Sequence, residues 1–364
     1  MPMKSDYFTL APDINIYYEL HFSPPPSNSS TKIIMIMGAY ATLRNFDESV
    51  EYLLEHYPSS IEILTYDHRG IGYSKGPTLE RQTTSLLARD AYQLVNHVWG
   101  NQSPVHVIGV SLGGMVAQEL AVMLIPEQRL LSLYLGVTTR GSYIRPFSLL
   151  PKWFFSRIIL PYFSMKSDNE KMLRSIAPYI FNEIEQEEME ELIKKYLTDC
   201  DKWFIFQDID GCAQHNVAFN SHYLTDQHIQ QIKNAQIPVT VQISMQDKLL
   251  PARKQQELAD SLNAKILVLE RAGHTFNREN RLKMYEIVGC GSKSETLIFC
   301  DFDSSCLASN IVYAKFIKPL QPTSSNAQLS IATSSTVAFN TFVLLLVETD
   351  LVLREEKYSL IVKL

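Results

Sequence analysis

Residues 14–21 (INIYYELH) alternate apolar and polar side chains, which predicts a half-buried strand. The following stretch, SPPPSNSSTK, carries the prolines and small polar residues of a loop. Four short apolar runs come next, Ile33–Met37, Ile61–Tyr66, Val105–Val110 and Leu130–Val137, each with the length of a buried strand. Between them the period changes. Leu86, Leu87, Ala91, Leu94, Val95 and Val98 form one helical stripe, and a second helix runs from Ser111 through Met115, Val116 and Leu120 to Val122. Strands that alternate with helices predict an α/β fold, a doubly wound and mostly parallel sheet covered on both faces.

The alternation stops at about Thr138 and resumes after Tyr223. In between, prolines at 146, 151, 161 and 178 punctuate aromatic helical pieces, and an acidic helical pattern follows in NEIEQEEMEELIKKYL. Strands at Val239–Ser244 and Lys265–Leu269 then flank a helix at Ala252–Leu262, with another helix after Thr275. The expected organisation is a core of residues 1–137 and 224–288, interrupted by a helical cap at 138–223. Residues 289–364, rich in Ser, Thr and Val, form a C-terminal extension without helix or turn grammar and are expected to be dispensable for chemistry.

Composition narrows the classes. At 46% hydrophobic and 20% charged the chain supports a large core and does not read as disordered. With 33 Lys plus Arg against 39 Asp plus Glu there is no basic excess to neutralise phosphates, so no nucleic-acid partner is expected. Five cysteines, an odd number without C-x-x-C spacing, argue against a disulfide framework and a zinc site, and fit a reducing, cytoplasmic setting. The start, MPMKSDYFTL, lacks the apolar core of a secretory signal. The longest apolar run, Val337–Val347, is broken by Asn340 and Thr341 and is too short for a transmembrane segment.

The strongest chemical signal is Gly109-Val110-Ser111-Leu112-Gly113, placed where a predicted strand turns into a predicted helix. A serine in such a turn is pushed out of the sheet edge as a nucleophile needs to be, although a plain strand-to-helix turn would also carry this pattern. Together with Asp67-His68-Arg69-Gly70-Ile71-Gly72-Tyr73-Ser74, which is similar to a D-x-R-G-x-G-x-S loop, this motif makes residues 14–285 resemble the α/β-hydrolase superfamily.

The resemblance implies a chain order of Ser, then acid, then His. Asp247, in Gln246-Asp247-Lys248-Leu249-Leu250-Pro251 after the strand Val239–Ser244, fits the acid; His274, after the strand Lys265–Leu269 in Ala272-Gly273-His274, fits the base. Two backbone N–H groups should form an oxyanion hole: that of Leu112, and that of Ala39 or, second, Tyr40, in a loop that reads Met37-Gly38 where many members of the superfamily have His-Gly. His215 and His222 are expected to hydrogen-bond within the insertion, with pocket lining as the alternative. Trp153, Phe154 and Phe155 are expected to line a substrate pocket.

The function expected is a serine hydrolase acting on a small-molecule carboxylic ester. The alternatives are another bond of the same fold's repertoire (amide, thioester, lactone, carbon–carbon or haloperoxidation), or a hydrolase-fold protein that only binds. No cofactor and no metal is implied, because no phosphate-cradling glycine motif follows any strand and the Ser-Asp-His set needs no ion.

Overall fold

A computed structural model of the protein describes residues 3–23, 30–56, 60–76, 81–141 and 209–274, with a few positions between 170 and 194. The eight strands of the sheet are β1 (Met3–Ala11), β2 (Ile14–Ser23), β3 (Thr31–Ile36), β4 (Ile61–Tyr66), β5 (Val105–Val110), β6 (Leu130–Gly136), β7 (Val239–Ser244) and β8 (Lys265–Leu269). They lie in the order β1-β2-β4-β3-β5-β6-β7-β8. The pairs β1–β2 and β2–β4 are antiparallel; every later pair is parallel.

Side-chain alternation along the strands divides the core. On β3, Ile34 and Ile36 join the larger hydrophobic cluster with α2 (Thr84–Trp99), α3 (Leu112–Leu124) and α6 (Ala252–Leu262). Ile33 and Met35 point the other way, into a cluster with Val50, Leu53 and Leu54 of α1 (Asp47–His56). Both faces of the central strands are therefore buried, which is why those strands read as short, mainly apolar runs, with Glu62, His106 and Ser132 as buried polar exceptions. At the start of α2, Thr83 accepts a bond from the Leu86 N–H at 3.1 Å, supplying a cap for the first turn.

The strands predicted at 61–66, 105–110, 239–244 and 265–269 are observed with those bounds. Among the described residues, β1, α1, the short helix α5 (Asp226–Asn234) and the 3-10 turns at Leu43–Phe46 and Ile125–Glu127 were not expected. Strand β1 is exposed over most of its length, with only Phe8 and Leu10 packed against the core; its pairing runs from Met3↔His21 to Ala11↔Ile14.

Of the block 138–223, the structure describes chiefly its two ends. Helix α4 (Ile209–Ser221) leads to Tyr223, which forms an isolated antiparallel bridge with Gly141. The Leu224 N–H donates to Arg140 O at 2.8 Å, and the Arg140 guanidinium donates to Leu224 O and Asp226 Oδ1. Chain entry and exit thus lie side by side. The aromatic stretch 153–155, most of the acidic helical pattern, the helix expected after Thr275 and the extension 289–364 lie outside the described residues.

Candidate active site

The C-terminal ends of β5, β7 and β8 bring together three side chains that are distant in sequence. Ser111 stands between β5 and α3 with φ 56° and ψ −121°, an unusual conformation for a residue with a Cβ. Such a conformation costs about 1–3 kcal/mol and persists only when its surroundings enforce it. Here the Ser111 N–H donates to Gly136 O at 2.9 Å, and Thr138 Oγ1 donates to Ser111 O at 2.8 Å. The small residues of the motif have a steric cause: a Cβ at Gly109 would come within 2.6 Å of the Ala117 Cβ, and one at Gly113 within 2.5 Å of Met37 O.

His274 connects Ser111 to Asp247. Its Nδ1 lies 2.8 Å from Asp247 Oδ2 and its Nε2 lies 3.0 Å from Ser111 Oγ. A carboxylate only accepts, so the proton sits on Nδ1 and the Nε2 lone pair faces the serine hydroxyl.

The Asp247 side chain is fully buried and receives four donors. The N–H groups of Leu249 and Leu250 each reach Oδ1 at 2.8 Å, and Gln255 Nε2 joins His274 at Oδ2 from 3.1 Å. The loops that carry the two residues are tied to each other through the Gln246 N–H to Ala272 O at 3.0 Å and the Met245 N–H to Leu269 O at 3.1 Å.

Gln255 was not anticipated from the sequence. It is completely buried on α6; besides Asp247 it donates to Leu250 O at 2.6 Å and accepts the Ser244 N–H at 3.0 Å. A signal existed, since Gln255 shares its helix face with the buried Leu258, Ala259 and Leu262. A polar side chain in an apolar register must find partners.

The loop after β3 borders the serine: a Cβ added at Gly38 would lie 3.0 Å from Ser111 Cβ and 3.6 Å from its Oγ. Leu112 opens α3, and its N–H, like that of Ala39, has no hydrogen-bond partner among the described residues. The Tyr40 N–H is engaged, donating to His215 Nδ1 at 3.2 Å, and Tyr40 itself has φ 62°.

His215 and His222 bond outward from the insertion. His222 is buried between α2 and α3, with Nδ1 2.9 Å from Thr84 Oγ1, and burial lowers its pKa to about 3. Trp153, Phe154 and Phe155 fall outside the described residues.

The Asp67–Ser74 loop is an architectural brace. Asp67 accepts the N–H groups of Leu43 at 2.8 Å and Tyr73 at 2.9 Å; its pKa is raised to about 6, by burial against the lowering effect of those donors. Arg69 donates from Nε and Nη2 to the two carboxylate oxygens of Asp90, each at 2.6 Å, in a pair that is almost fully buried. His68 Nε2 donates to Met37 O at 3.0 Å. Among the described residues no group of three or more His, Cys, Asp or Glu could hold a metal ion, and no helix is long and apolar enough to cross a membrane.

A predominantly parallel sheet with a serine at the β5–α3 turn, hydrogen-bonded to a histidine and through it to an acid, defines an α/β-hydrolase architecture. The chain belongs to the alpha/beta hydrolase family, whose model matches residues 38–285, more than half of its length. Solved structures of the same fold include a hydrolase from Pseudomonas aeruginosa, 20% identical, covering 79% of this chain and 98% of that one with a TM-score of 0.61. The enol-lactonase from Burkholderia xenovorans is 18% identical over 77% of this chain and 97% of its own, with a TM-score of 0.60. An esterase from Exiguobacterium antarcticum is 17% identical over 77% and 96%, with a TM-score of 0.58.

Proposed function

We propose that the protein is a serine hydrolase that cleaves carboxylic esters. The observation that carries this reading is the unbroken line of bonds from Ser111 Oγ to His274, 3.0 Å, and from His274 to Asp247, 2.8 Å. His274 Nε2 takes the Ser111 proton as Oγ adds to the ester carbonyl, and Asp247 keeps the imidazole in the required tautomer and stabilises the imidazolium. The N–H groups of Leu112 and Ala39 stabilise the oxyanion; the α3 N-terminus adds its dipole at the first of these. Tyr40, whose N–H is engaged by His215, is left out of that role. His274 then protonates the departing alcohol. In the second half it deprotonates water, whose hydroxide adds to the acyl-serine, and Ser111 leaves as the alcohol with the proton from His274.

An esterase and an enol-lactonase among the structures of this fold agree with an ester or cyclic ester as substrate. The block 138–223 acts as a cap in this reading, with Trp153, Phe154 and Phe155 supplying apolar lining for the acyl group. The cysteine pattern supports a cytoplasmic setting. The test is a fluorophosphonate activity probe on the purified protein. Labelling that disappears in Ser111→Ala is expected; an unlabelled wild-type protein that also leaves p-nitrophenyl butyrate intact overturns the proposal.

A further inference from the structure

Two buried histidines flank one peptide of the loop beside Ser111. Three consecutive peptide groups make up this stretch of loop. The first, Met37–Gly38, is fixed at its carbonyl, which accepts from His68 Nε2 at 3.0 Å. The third, Ala39–Tyr40, is fixed at its N–H, which donates to His215 Nδ1 at 3.2 Å. Between them stands the Gly38–Ala39 peptide, whose N–H belongs to Ala39. Its position next to Ser111 follows from the 3.0 Å that would separate a Gly38 Cβ from the Ser111 Cβ. A peptide held at both neighbours has little freedom left in its own plane.

The two imidazoles also brace each other. Their rings meet edge to face with centroids 5.3 Å apart. Each bond fixes a tautomer: a carbonyl only accepts, so His68 carries its proton on Nε2, and an N–H only donates, so His215 Nδ1 is the bare nitrogen. Burial keeps both rings neutral, lowering His68 to about 4 and His215 well below its usual range. Asn216, next to His215 in sequence, accepts the Tyr40 hydroxyl at its Oδ1.

Stability alone does not account for this pair. His68 Nδ1 and His215 Nε2 are buried without a hydrogen-bond partner among the described residues. Each orphaned polar atom costs about 1–3 kcal/mol, which an apolar side chain of the same size would avoid.

We propose that His68 and His215 form a clamp that orients the Gly38–Ala39 peptide toward Ser111, acting as positioning residues for the oxyanion. This rests on the serine-hydrolase reading above. Because His215 belongs to α4, the last helix of the insertion, the clamp also links that segment directly to the chemistry. The role is distinct from that of a catalytic group, since neither ring is assigned a contact with substrate.

The test compares replacements that keep or lose the bonding atom in the full-length protein, with p-nitrophenyl butyrate as substrate. His215→Asn places an oxygen near the Nδ1 position and His68→Gln places an N–H near Nε2; His215→Leu and His68→Leu remove them. The expected result is a kcat loss of about 10- to 100-fold in each leucine variant with KM little changed, a fraction of the effect of deleting an oxyanion donor outright. The Asn and Gln variants should recover most of that loss. Binding of a phenylboronic acid, whose tetrahedral adduct carries the same oxygen, should weaken in step with kcat.

Leucine variants with wild-type kcat overturn the clamp, as do correctly folded Asn and Gln variants no faster than the leucine ones. Should His215→Leu fail to fold, His215→Gln, which carries its oxygen out to the Nε2 position, replaces it in the comparison with His215→Asn. A wild-type protein without turnover or fluorophosphonate labelling would instead refute the hydrolase reading beneath it.

Discussion

Gln255 Nε2 lies 3.1 Å from the same Asp247 oxygen that faces His274. The carboxylate that holds His274 is therefore itself held, from a helix that begins only five residues after Asp247. Replacing Gln255 by Leu should leave the Ser244 N–H without its partner and Asp247 with one donor fewer. A stability loss of about 1–3 kcal/mol is expected, with a fall in kcat that exceeds any change in KM. Steady-state kinetics at a temperature well below the variant's Tm check this; unchanged kcat would show that Asp247 needs no such support.

The proposed reaction predicts a characteristic pattern of losses. Ser111→Ala and His274→Ala should each lower esterase kcat by about ten-thousandfold or more, and the double variant should be hardly worse than either single change. Asp247→Asn should be severe but milder than either. Losses that simply multiply in the double variant would argue against a unit acting together.

Gly38→Ala inserts a methyl group 3.0 Å from Ser111 Cβ. The protein should still fold, because the Gly38 backbone does not have a left-handed φ. It should react slowly, because the loop must retreat by a few tenths of an ångström from the serine. A kcat equal to wild type would place the loop farther from the chemistry than proposed.

The Arg69–Asp90 pair is buried on both sides, so removing one partner strands a charge. Asp90→Ala should cost about 3–5 kcal/mol, measurable as a lower denaturation midpoint, while Arg69→Met with Asp90→Leu together should cost less than Asp90→Ala alone. Midpoints within experimental error of wild type for Asp90→Ala would mean that water reaches the guanidinium.

Stability should fall on mild acidification. Burial lowers His21, His68 and His106 to about 4 and His222 to about 3 in the folded protein. The unfolded chain takes up these protons near pH ~6.5, so the stability they contribute is present above that pH and is lost as pH falls toward the folded values. Asp47 and Asp67, raised to about 6 chiefly by burial, act in the opposite sense and favour the folded state at lower pH. The histidines outnumber them, so Tm should drop between pH 6.5 and 4.5; a flat or rising Tm in calorimetry over that range contradicts this.

What the sequence revealed and what it hid have physical causes. Parallel strands buried on both faces are rich in apolar and β-branched residues, so β4, β5 and β7 stood out although each carries buried polar side chains such as Glu62, His106 and Gln242. Ser111 was legible because a tight turn under close-packed elements tolerates only small neighbours. Asp247 and His274 followed from order along the chain once the serine was placed. Strand β1 was hidden because its mostly exposed residues carry little pattern; pairing with β2 and the packing of Phe8 and Leu10 against the core hold it. The four buried Ser49, Val50, Leu53 and Leu54 of α1 did repeat at helical spacing and could have been recognised. His68 and His215 lie far apart in sequence, and no local pattern marks two rings that become neighbours only in the folded chain.

Gly141 and Tyr223 meet in a single bridge, while β6 and β7 pair directly as neighbours from Leu133↔Val239 onward. The sheet is thus complete without regard to how much polypeptide is carried between those two points. Lengthening a connection of this kind twofold costs only about 0.6 kcal/mol in closure entropy. The anchor behaves like a doorway with a fixed frame: whole segments can be exchanged through it by recombination or grafting while strand register stays intact. Any replacement must keep α4, whose Ala218 and Phe219 belong to the main core, whose His215 accepts the Tyr40 N–H and after which His222 bonds Thr84. On the proposed reading, in which the block 138–223 covers the site, exchanging the stretch between Gly141 and α4 is expected to alter specificity without redesigning the sheet that carries Ser111, Asp247 and His274.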